Sequence, residues 1–250
     1  MSADKKNSDQ SILGKALYVY KKEGFKSLLL RARDFVAYDL WKPVRTQIMG
    51  LGDRYKIVGP DTIYKSEYYA KRRKDPWRSE ANQIGEVLGS HFEPKSVIDF
   101  GCAIGAHLEP FNESGITVQG IEGNEKAIEQ AVIPKGLITK HDLREPYEPS
   151  KKYDLAISIE VAEHIPSEFD DIYVNTICNS AKRVVITAAP PGQGGTHHIN
   201  EQPKEYWVKK FDSQGFSLDQ KTTEQLANKF EVSNSTWVEE NLLVFEEREQ

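Results

Sequence analysis

Short apolar segments alternate with longer amphipathic segments along the chain from about residue 78 onward. The apolar segments predict strands, and the amphipathic segments predict helices. The predicted strands are 96–100, 117–122, 137–141, 154–160 and 183–188, and the predicted helices are 77–88, 124–132 and 169–181. This regular alternation is typical of an α/β fold with a doubly wound parallel sheet.

The last part of the chain departs from this alternation. The pattern predicts a helix at 203–214, a strand that begins at Phe216, and a further strand over the apolar residues 241–245. Because no long crossover helix separates the two closing strands, we expect them to form an antiparallel pair at the edge of the sheet.

The first 77 residues have a different pattern. Apolar residues recur at roughly helical spacing between residues 13 and 36, among many lysines and arginines. This predicts one or two basic amphipathic helices, which either lie on a membrane surface as a peripheral contact or cover a protein core. We therefore divide the chain into a basic helical N-terminal extension, residues 1–77, and an α/β domain, residues 78–250.

The composition narrows the class of protein. A chain of 250 residues with 38% hydrophobic and 28% charged residues is typical of one globular domain with a modest extension. No apolar run approaches the roughly 20 residues of a membrane-spanning helix, and the polar beginning MSADKKNSDQ does not resemble a secretory signal. We therefore expect a cytoplasmic protein. Two widely separated cysteines predict neither a disulfide framework nor a zinc ribbon.

The charge is unevenly distributed. Residues 1–78 carry 18 Lys and Arg against 9 Asp and Glu, which leaves 15 against 29 in the rest of the chain. A basic segment of this kind contacts anionic lipid, nucleic acid or a phosphorylated substrate, or forms only a solvated surface. The acidic charge of the α/β domain argues against a nucleic-acid partner.

The segment SVIDFGCAIGAHLEPF, residues 96–111, predicts a strand that runs through a turn of small residues into a helix. Such a turn lets the backbone approach a ligand at the carboxyl end of the first strand. Glu122 ends the next predicted strand about 20 residues later, where a carboxylate can accept both hydroxyls of a ribose. Together these features predict a cofactor that contains a nucleoside.

The glycine turn lacks the GxGxxG spacing of a dinucleotide fold, and the sequence around Asp99 resembles the class I S-adenosylmethionine-dependent methyltransferases. The resemblance covers roughly residues 78–247. It implies a Rossmann-like sheet of seven strands with an antiparallel last strand, and S-adenosylmethionine as the cofactor. Asp142 and Leu143 match the family's adenine position, and the strand that ends at Glu160 matches the strand that faces the methyl-transfer site. Ala103 stands where the family usually has glycine.

The motifs and the resemblance together define the expected cofactor site. The candidate cofactor-binding residues are Asp99, Gly101, Cys102, Ala103, Gly105, Glu122, Gly123, Asn124, Asp142, Leu143 and Glu160.

Two further loops carry carboxylates and imidazoles. EVAEHIP follows the fourth predicted strand, and GGTHHIN follows the fifth. Because both loops lie at the carboxyl edge of the sheet, we expect them to converge beside the cofactor. Carboxylate and imidazole ligands suit Mg²⁺ or Mn²⁺, which would lower the pKa of a substrate hydroxyl. The candidate metal ligands are Glu160, Glu163, His164 and His198.

The ExxEH and GTH pattern also resembles the ubiquinone-biosynthesis O-methyltransferases and the methyltransferases that cap small RNAs. This narrower resemblance implies metal-assisted O-methylation and leaves open whether His197 or His198 matches the later histidine. In a metal-free alternative, Glu163 and His164 have only structural roles, or His164, His197 or His198 acts as the general base.

Aromatic residues form two further candidate groups. Tyr64, Tyr68 and Tyr69 either cover the cofactor, form a platform for the acceptor, or pack the N-terminal extension against the sheet. Tyr206 and Trp207 either stack on the acceptor or pack a helix on the sheet.

We therefore expect transfer of a methyl group from S-adenosylmethionine to a hydroxyl of a small-molecule or glycan acceptor. One alternative is methylation of RNA ribose, which the ExxEH pattern and the basic extension support. An alternative of another class is a non-catalytic binding module, which Ala103 and the basic extension support.

Overall fold

The structure is a computed structural model that describes residues 60–249 and Gly52. The basic amphipathic helices predicted between residues 13 and 36 lie outside the described residues, as does the membrane contact expected from them. Within the described residues, no helix is both long enough and apolar enough to cross a membrane.

Helices lie on both sides of a mixed sheet. The helices are α1 Pro60–Ile63, α2 Ser66–Arg72, α3 Trp77–Phe92, α4 Glu109–Glu113, α5 Glu125–Glu129, α6 Asp170–Ser180, α7 Lys204–Ser213, α8 Gln220–Ala227 and α9 Trp237–Asn241. The strands are β1 Ser96–Phe100, β2 Thr117–Glu122, β3 Ile138–Lys140, β4 Leu155–Ser158, β5 Arg183–Thr187, β6 Phe216–Leu218 and β7 Leu242–Glu247.

In the described part of the chain, seven strands form one sheet in the order β3-β2-β1-β4-β5-β7-β6. The first five strands are parallel, and β7 pairs antiparallel with both β5 and β6. This confirms the predicted seven-stranded α/β sheet with an antiparallel last strand. The strand order reverses between β1 and β4, so that the loops after these strands diverge and leave a crevice at the carboxyl edge.

Several predicted boundaries were wrong by a few residues. The strand predicted at 154–160 ends at Ser158, and the helix predicted at 124–132 ends at Glu129. Helices α8 and α9, between β6 and β7, were not predicted, because they are short and mostly polar and therefore lack a strong helical pattern.

Alternate residues of the central strands contribute to two buried clusters. Val97 packs with Ile84 and Leu88 of α3, whereas Ile98 packs with the cluster that contains Tyr173 and Trp207. Each fully buried side chain of this size stabilises the fold by about 1.5–3 kcal/mol. Trp207 is fully buried. It therefore packs a helix on the sheet, which was the alternative to stacking on the acceptor.

Residues 60–77, which the sequence placed in the N-terminal extension, pack beside α5 at the carboxyl edge of the sheet. Asn124 donates a side-chain hydrogen bond to the carbonyl oxygen of Tyr64, at 3.1 Å. Gln130 donates to both the carbonyl oxygen and the hydroxyl of Ser66, each at 2.9 Å. These bonds place α2 and its tyrosines over the carboxyl ends of the strands.

Candidate functional site

A cavity of about 540 Å³ lies at the carboxyl edge of the sheet. Its walls come from the ends of β1, β2 and β4, the loop after β3, residues 63–77, the loop 193–198 and residues 235–238. A volume of this size is typical of pockets that bind small molecules and cofactors.

The turn after β1 brings backbone to the cavity wall. Gly101 has φ +78°, and a Cβ atom added there would lie 2.5 Å from a methyl group of Val161. Glycine is therefore required at this position both for its backbone conformation and for space. Ala103 has φ +49°, a left-handed conformation that costs an alanine about 1 kcal/mol relative to glycine.

Glu122 joins the glycine turn to the end of β2. One of its carboxylate oxygens accepts a hydrogen bond from the backbone N–H of Ala103 at 2.8 Å, and the other accepts one from Asn124 at 2.7 Å. Burial raises the pKa of Glu122 despite these bonds. A carboxylate has about four acceptor positions, so both oxygens retain capacity to accept a pair of ligand hydroxyls.

The loop after β3 brings a paired acid into the cavity wall. The guanidinium of Arg144 donates to both carboxylate oxygens of Asp142, with Nε 2.9 Å from Oδ1 and Nη2 2.6 Å from Oδ2. Arg144 is buried and lines the cavity, although the sequence did not identify it. The signal in the sequence was an arginine two residues after the acid, a spacing that allows this bidentate pair.

The structure divides the candidate cofactor residues into two groups. Those that line the cavity are Gly101, Cys102, Ala103, Glu122, Gly123, Asp142, Leu143 and Glu160. Asp99, Gly105 and Asn124 are not part of the wall and instead support it. Asp99 is buried behind the turn, where burial raises the pKa of its carboxyl group. Asn124 caps α5 by accepting a hydrogen bond from the N–H of Lys126, at 2.9 Å.

The loops after β4 and β5 bring an acid and two histidines together. The potential ligand atoms of Glu163, His164 and His198 all lie within 4.8 Å of one another. Glu163 is fully buried, and within the described part of the chain neither of its carboxylate oxygens has a hydrogen-bond partner. Burial and the nearby charge of Glu160 raise the pKa of Glu163 well above its usual range.

The hydrogen bonds of His164 define its tautomer. Its Nδ1 lies 3.0 Å from the carbonyl oxygen of His197, which can only accept, so Nδ1 carries the proton and Nε2 the lone pair. The hydroxyl of Tyr64 lies 3.2 Å from the same Nδ1 and donates to the carbonyl oxygen of Thr196, at 3.3 Å. Burial lowers the pKa of His164 to about 3, so the imidazole is neutral at physiological pH.

His198 is oriented by a carboxylate. Its Nδ1 lies 3.1 Å from Oε1 of Glu201, which favours the tautomer with the lone pair on Nε2. Glu201 also accepts hydrogen bonds from the N–H groups of Gly192 and Gly194, at 2.7 and 2.6 Å. Of the two adjacent histidines, His198 is therefore the one in the cluster, and His197 contributes its carbonyl oxygen to His164.

The donor set fits a divalent metal ion. Glu163 offers buried oxygens that lack a hydrogen-bond donor, and the two imidazoles have tautomers with lone pairs on Nε2. Glu160, the fourth predicted ligand, lies outside the cluster of three. Its Oε1 accepts a hydrogen bond from the hydroxyl of Thr187 at 2.9 Å.

Aromatic side chains from residues 64–77 form another part of the cavity wall. Tyr64, Tyr68 and Tyr69 line the cavity, together with Arg72 and Trp77. The ring centroids of Tyr64 and Tyr68 are 4.7 Å apart. The tyrosines therefore face the cavity, while Arg72 and Trp77 were not identified as site residues from the sequence.

Comparison with known proteins relates part of this chain to the methyltransferases. Residues 69–182 match a family model described as a methyltransferase domain. No curated protein matches the sequence of this chain.

Many solved structures are similar in fold to this chain, and three of them illustrate the range. Magnesium protoporphyrin IX methyltransferase from Synechocystis PCC 6803, solved with bound SAH, is 18% identical over 68% of this chain and 83% of that chain, with a TM-score of 0.51. A TehB-like SAM-dependent methyltransferase from Corynebacterium glutamicum ATCC 13032 is 18% identical over 73% and 98%, with a TM-score of 0.55. The sugar N-methyltransferase KedS8 from Streptoalloteichus sp. ATCC 53650 is 12% identical over 77% and 94%, with a TM-score of 0.55.

These similarities show that the chain has the fold of the class I methyltransferases.

Proposed function

We propose that this protein transfers the methyl group of S-adenosylmethionine to a hydroxyl group of a small-molecule or glycan acceptor. The main support for this proposal is the set of residues that line one cavity. The glycine turn, Glu122, His164 and His198 all face the same cavity, so a nucleoside site and a proton-accepting site are adjacent.

The first half of the site fits the cofactor. S-adenosylmethionine supplies a methyl group that is already activated by its sulfonium charge. Gly101 lets the backbone approach the ligand. Glu122 accepts hydrogen bonds from the ribose hydroxyls, and Asp142 accepts a hydrogen bond from the amino group of the adenine. The protein therefore has to position the donor and the acceptor in line more than to supply covalent chemistry.

The second half of the site fits removal of a proton from the acceptor. With a pKa of about 3, His164 is a poor proton acceptor at neutral pH. We therefore assign the general-base role to Nε2 of His198, with Glu201 holding the imidazole in the required orientation. His197 supports the arrangement through its carbonyl oxygen.

Glu163, His164 and His198 would hold Mg²⁺ or Mn²⁺ where a metal is bound. Such an ion supplies Lewis acidity, which lowers the pKa of a coordinated hydroxyl. The buried carboxyl group of Glu163 then remains ionised, because the positive charge offsets the desolvation that raises its pKa.

The test is transfer of labelled methyl groups to a panel of sugar and phenol hydroxyls and their amine analogues, with Mg²⁺ and after chelation. We expect methylation of hydroxyl acceptors, and a loss of at least about 100-fold in turnover in His198→Ala. His91→Ala, outside the cavity, is the control. Methylation of amines alone, or full turnover in His198→Ala, would contradict the proposal.

Metal binding has a separate readout. Isothermal titration with Mn²⁺ should show one site in the wild-type protein and none in Glu163→Gln, whose neutral amide is a poor ligand. Equal Mn²⁺ binding by both proteins would exclude Glu163 as a ligand.

A further inference from the structure

Four consecutive cations, Lys71, Arg72, Arg73 and Lys74, lie where α2 ends beside the cavity. Arg72 is half-buried and lines the cavity, while the other three side chains are exposed. We call residues 71–74 the basic segment. It places one positive charge in the cavity wall and three on the adjoining surface.

Arg72 is held by aromatic rings and has no carboxylate partner among the described residues. Its guanidinium carbon lies 3.6 Å from the ring centroid of Tyr68 and 6.0 Å from that of Trp77. Of the five other arginines among the described residues, four pair with an acid, namely Arg78 with Glu109, Arg144 with Asp142, Arg183 with Glu246 and Arg248 with Asp212. The fifth, Arg73, is exposed to solvent. A stacked guanidinium keeps its N–H donors available in its plane, so Arg72 is oriented but retains capacity for an anion.

Arg72 lines the same cavity as both halves of the site. That cavity is also lined by Glu122 of the cofactor half and by His164 and His198 of the second half. Arg72 stacks on Tyr68, whose ring centroid is 4.7 Å from that of Tyr64, and the hydroxyl of Tyr64 lies 3.2 Å from Nδ1 of His164. Arg72 therefore lies beside the proton-accepting residues.

We propose that the acceptor is a phosphate-bearing molecule whose anionic group is bound by Arg72. This inference rests on the proposed function and names the chemical class of its acceptor. A planar guanidinium matches a phosphate with two parallel hydrogen bonds. The exposed cations of the basic segment add a positive field that attracts a doubly charged group more strongly than a singly charged one.

The experiment is calorimetry on the protein saturated with S-adenosylhomocysteine, titrated with glucose 6-phosphate and, as the neutral counterpart, glucose. The wild-type complex should bind glucose 6-phosphate more tightly than glucose by about tenfold or more, with an affinity that falls as salt is added. Arg72→Gln should abolish this preference.

Arg73→Gln is the matched control, since it removes the same charge from the adjacent, exposed residue. We expect it to weaken glucose 6-phosphate binding by no more than about threefold, because exposed charges are screened. Equal losses in the two variants would overturn the inference, since the basic segment would then act only as a diffuse charge. The same holds if the wild-type complex does not prefer glucose 6-phosphate.

A second titration separates the acceptor from the cofactor. Arg72→Gln should bind S-adenosylhomocysteine as tightly as the wild-type protein. If it instead loses affinity for S-adenosylhomocysteine but not for methylthioadenosine, which lacks the carboxylate, Arg72 serves the cofactor and the inference is wrong. Failure of the wild-type protein to bind S-adenosylhomocysteine would instead be a failure of the proposed function.

Discussion

Gly101 and Gly115 have nearly the same left-handed backbone conformation, with φ +78° and +76°. They differ in what surrounds them. A Cβ atom on Gly101 would lie 2.5 Å from Val161, whereas a Cβ atom on Gly115 would have no neighbour within 4 Å. Alanine substitutions at these two glycines therefore distinguish the free-energy cost of backbone strain from the cost of a steric clash at the cofactor turn.

We predict that Gly101→Ala lowers the free energy of unfolding by about 2–4 kcal/mol, the sum of backbone strain and overpacking. It should also weaken binding of S-adenosylmethionine, because Gly101 lines the cavity. Gly115→Ala should cost about 1 kcal/mol and leave cofactor affinity unchanged. Urea denaturation and calorimetry measure both quantities. Equal stability and affinity in the two variants would show that the contact with Val161 is unimportant.

Glu122 is the residue to which we assign the ribose hydroxyls. We predict that Glu122→Ala weakens binding of S-adenosylmethionine by about tenfold or more, because hydrogen bonds to a charged acceptor contribute about 1.5–3 kcal/mol each. Glu125→Ala, which removes an acid three residues away that pairs with Lys140, is the control. Unchanged affinity in Glu122→Ala would remove Glu122 from the cofactor site.

At the scale of elements, the loop between β5 and α7 is tied to its neighbours at several points. The carbonyl oxygen of Glu163 accepts hydrogen bonds from the N–H groups of Ile199 and Asn200, at 3.0 and 3.1 Å. The side chain of Asn200 donates to Asp170, at the beginning of α6. These bonds hold the loop over the cavity and place His198 beside Glu163.

Gly195 makes the position of His198 testable. A Cβ atom on Gly195 would lie 2.0 Å from Nε2 of His198, so Gly195→Ala must move the imidazole. We predict a loss of about tenfold or more in turnover, with little change in cofactor affinity, because only the second half of the site is disturbed. Gly136→Ala, which lies outside the cavity and whose added Cβ atom would meet no atom within 4 Å, is the control. Normal turnover in Gly195→Ala would argue against His198 as the base.

Asp170 gives the anchoring of this loop a pH dependence. Burial raises the pKa of Asp170 to about 6, even though Tyr206 and Asn200 donate hydrogen bonds to its carboxylate. Between pH 4 and 6 the unfolded chain loses this proton while the folded chain keeps it. The contribution of Asp170 to the free energy of unfolding therefore falls as the pH rises through this window.

Asp170→Asn removes this titration. We predict that the stability of the wild-type protein, relative to Asp170→Asn, decreases from pH 4 to pH 7, as measured by urea denaturation at each pH. A difference that stays constant or increases over this range would show that the carboxyl group does not have a raised pKa.

At the scale of the whole molecule, the sequence predicted the elements that depend on local pattern. The apolar strands and the turn from Asp99 to Gly105 have strong period and composition signals, so the sheet and the cofactor turn could be located. The resemblance to the methyltransferases then implied seven strands with an antiparallel last strand, in agreement with the antiparallel pair expected from the missing crossover helix. The strand order was not predicted.

The rest of the site depends on contacts between distant residues. Arg72 lines the cavity because α2 packs beside α5, a contact that the polar sequence of residues 64–77 does not indicate. The choice of His198 over His197 depends on the hydrogen bond to Glu201, which requires the folded loop. Residue propensity and hydrophobic periodicity predict neither the packing of distant helices nor a hydrogen bond within a folded loop.

The central claim is that the cavity at the carboxyl edge of the sheet binds S-adenosylmethionine. The most direct measurement is a calorimetric titration of the wild-type protein and of Gly101→Ala with this molecule. The account predicts saturable binding of one molecule per chain by the wild-type protein, and much weaker binding by Gly101→Ala. Absence of binding to the folded wild-type protein would contradict it and would favour a methyltransferase fold that binds another partner.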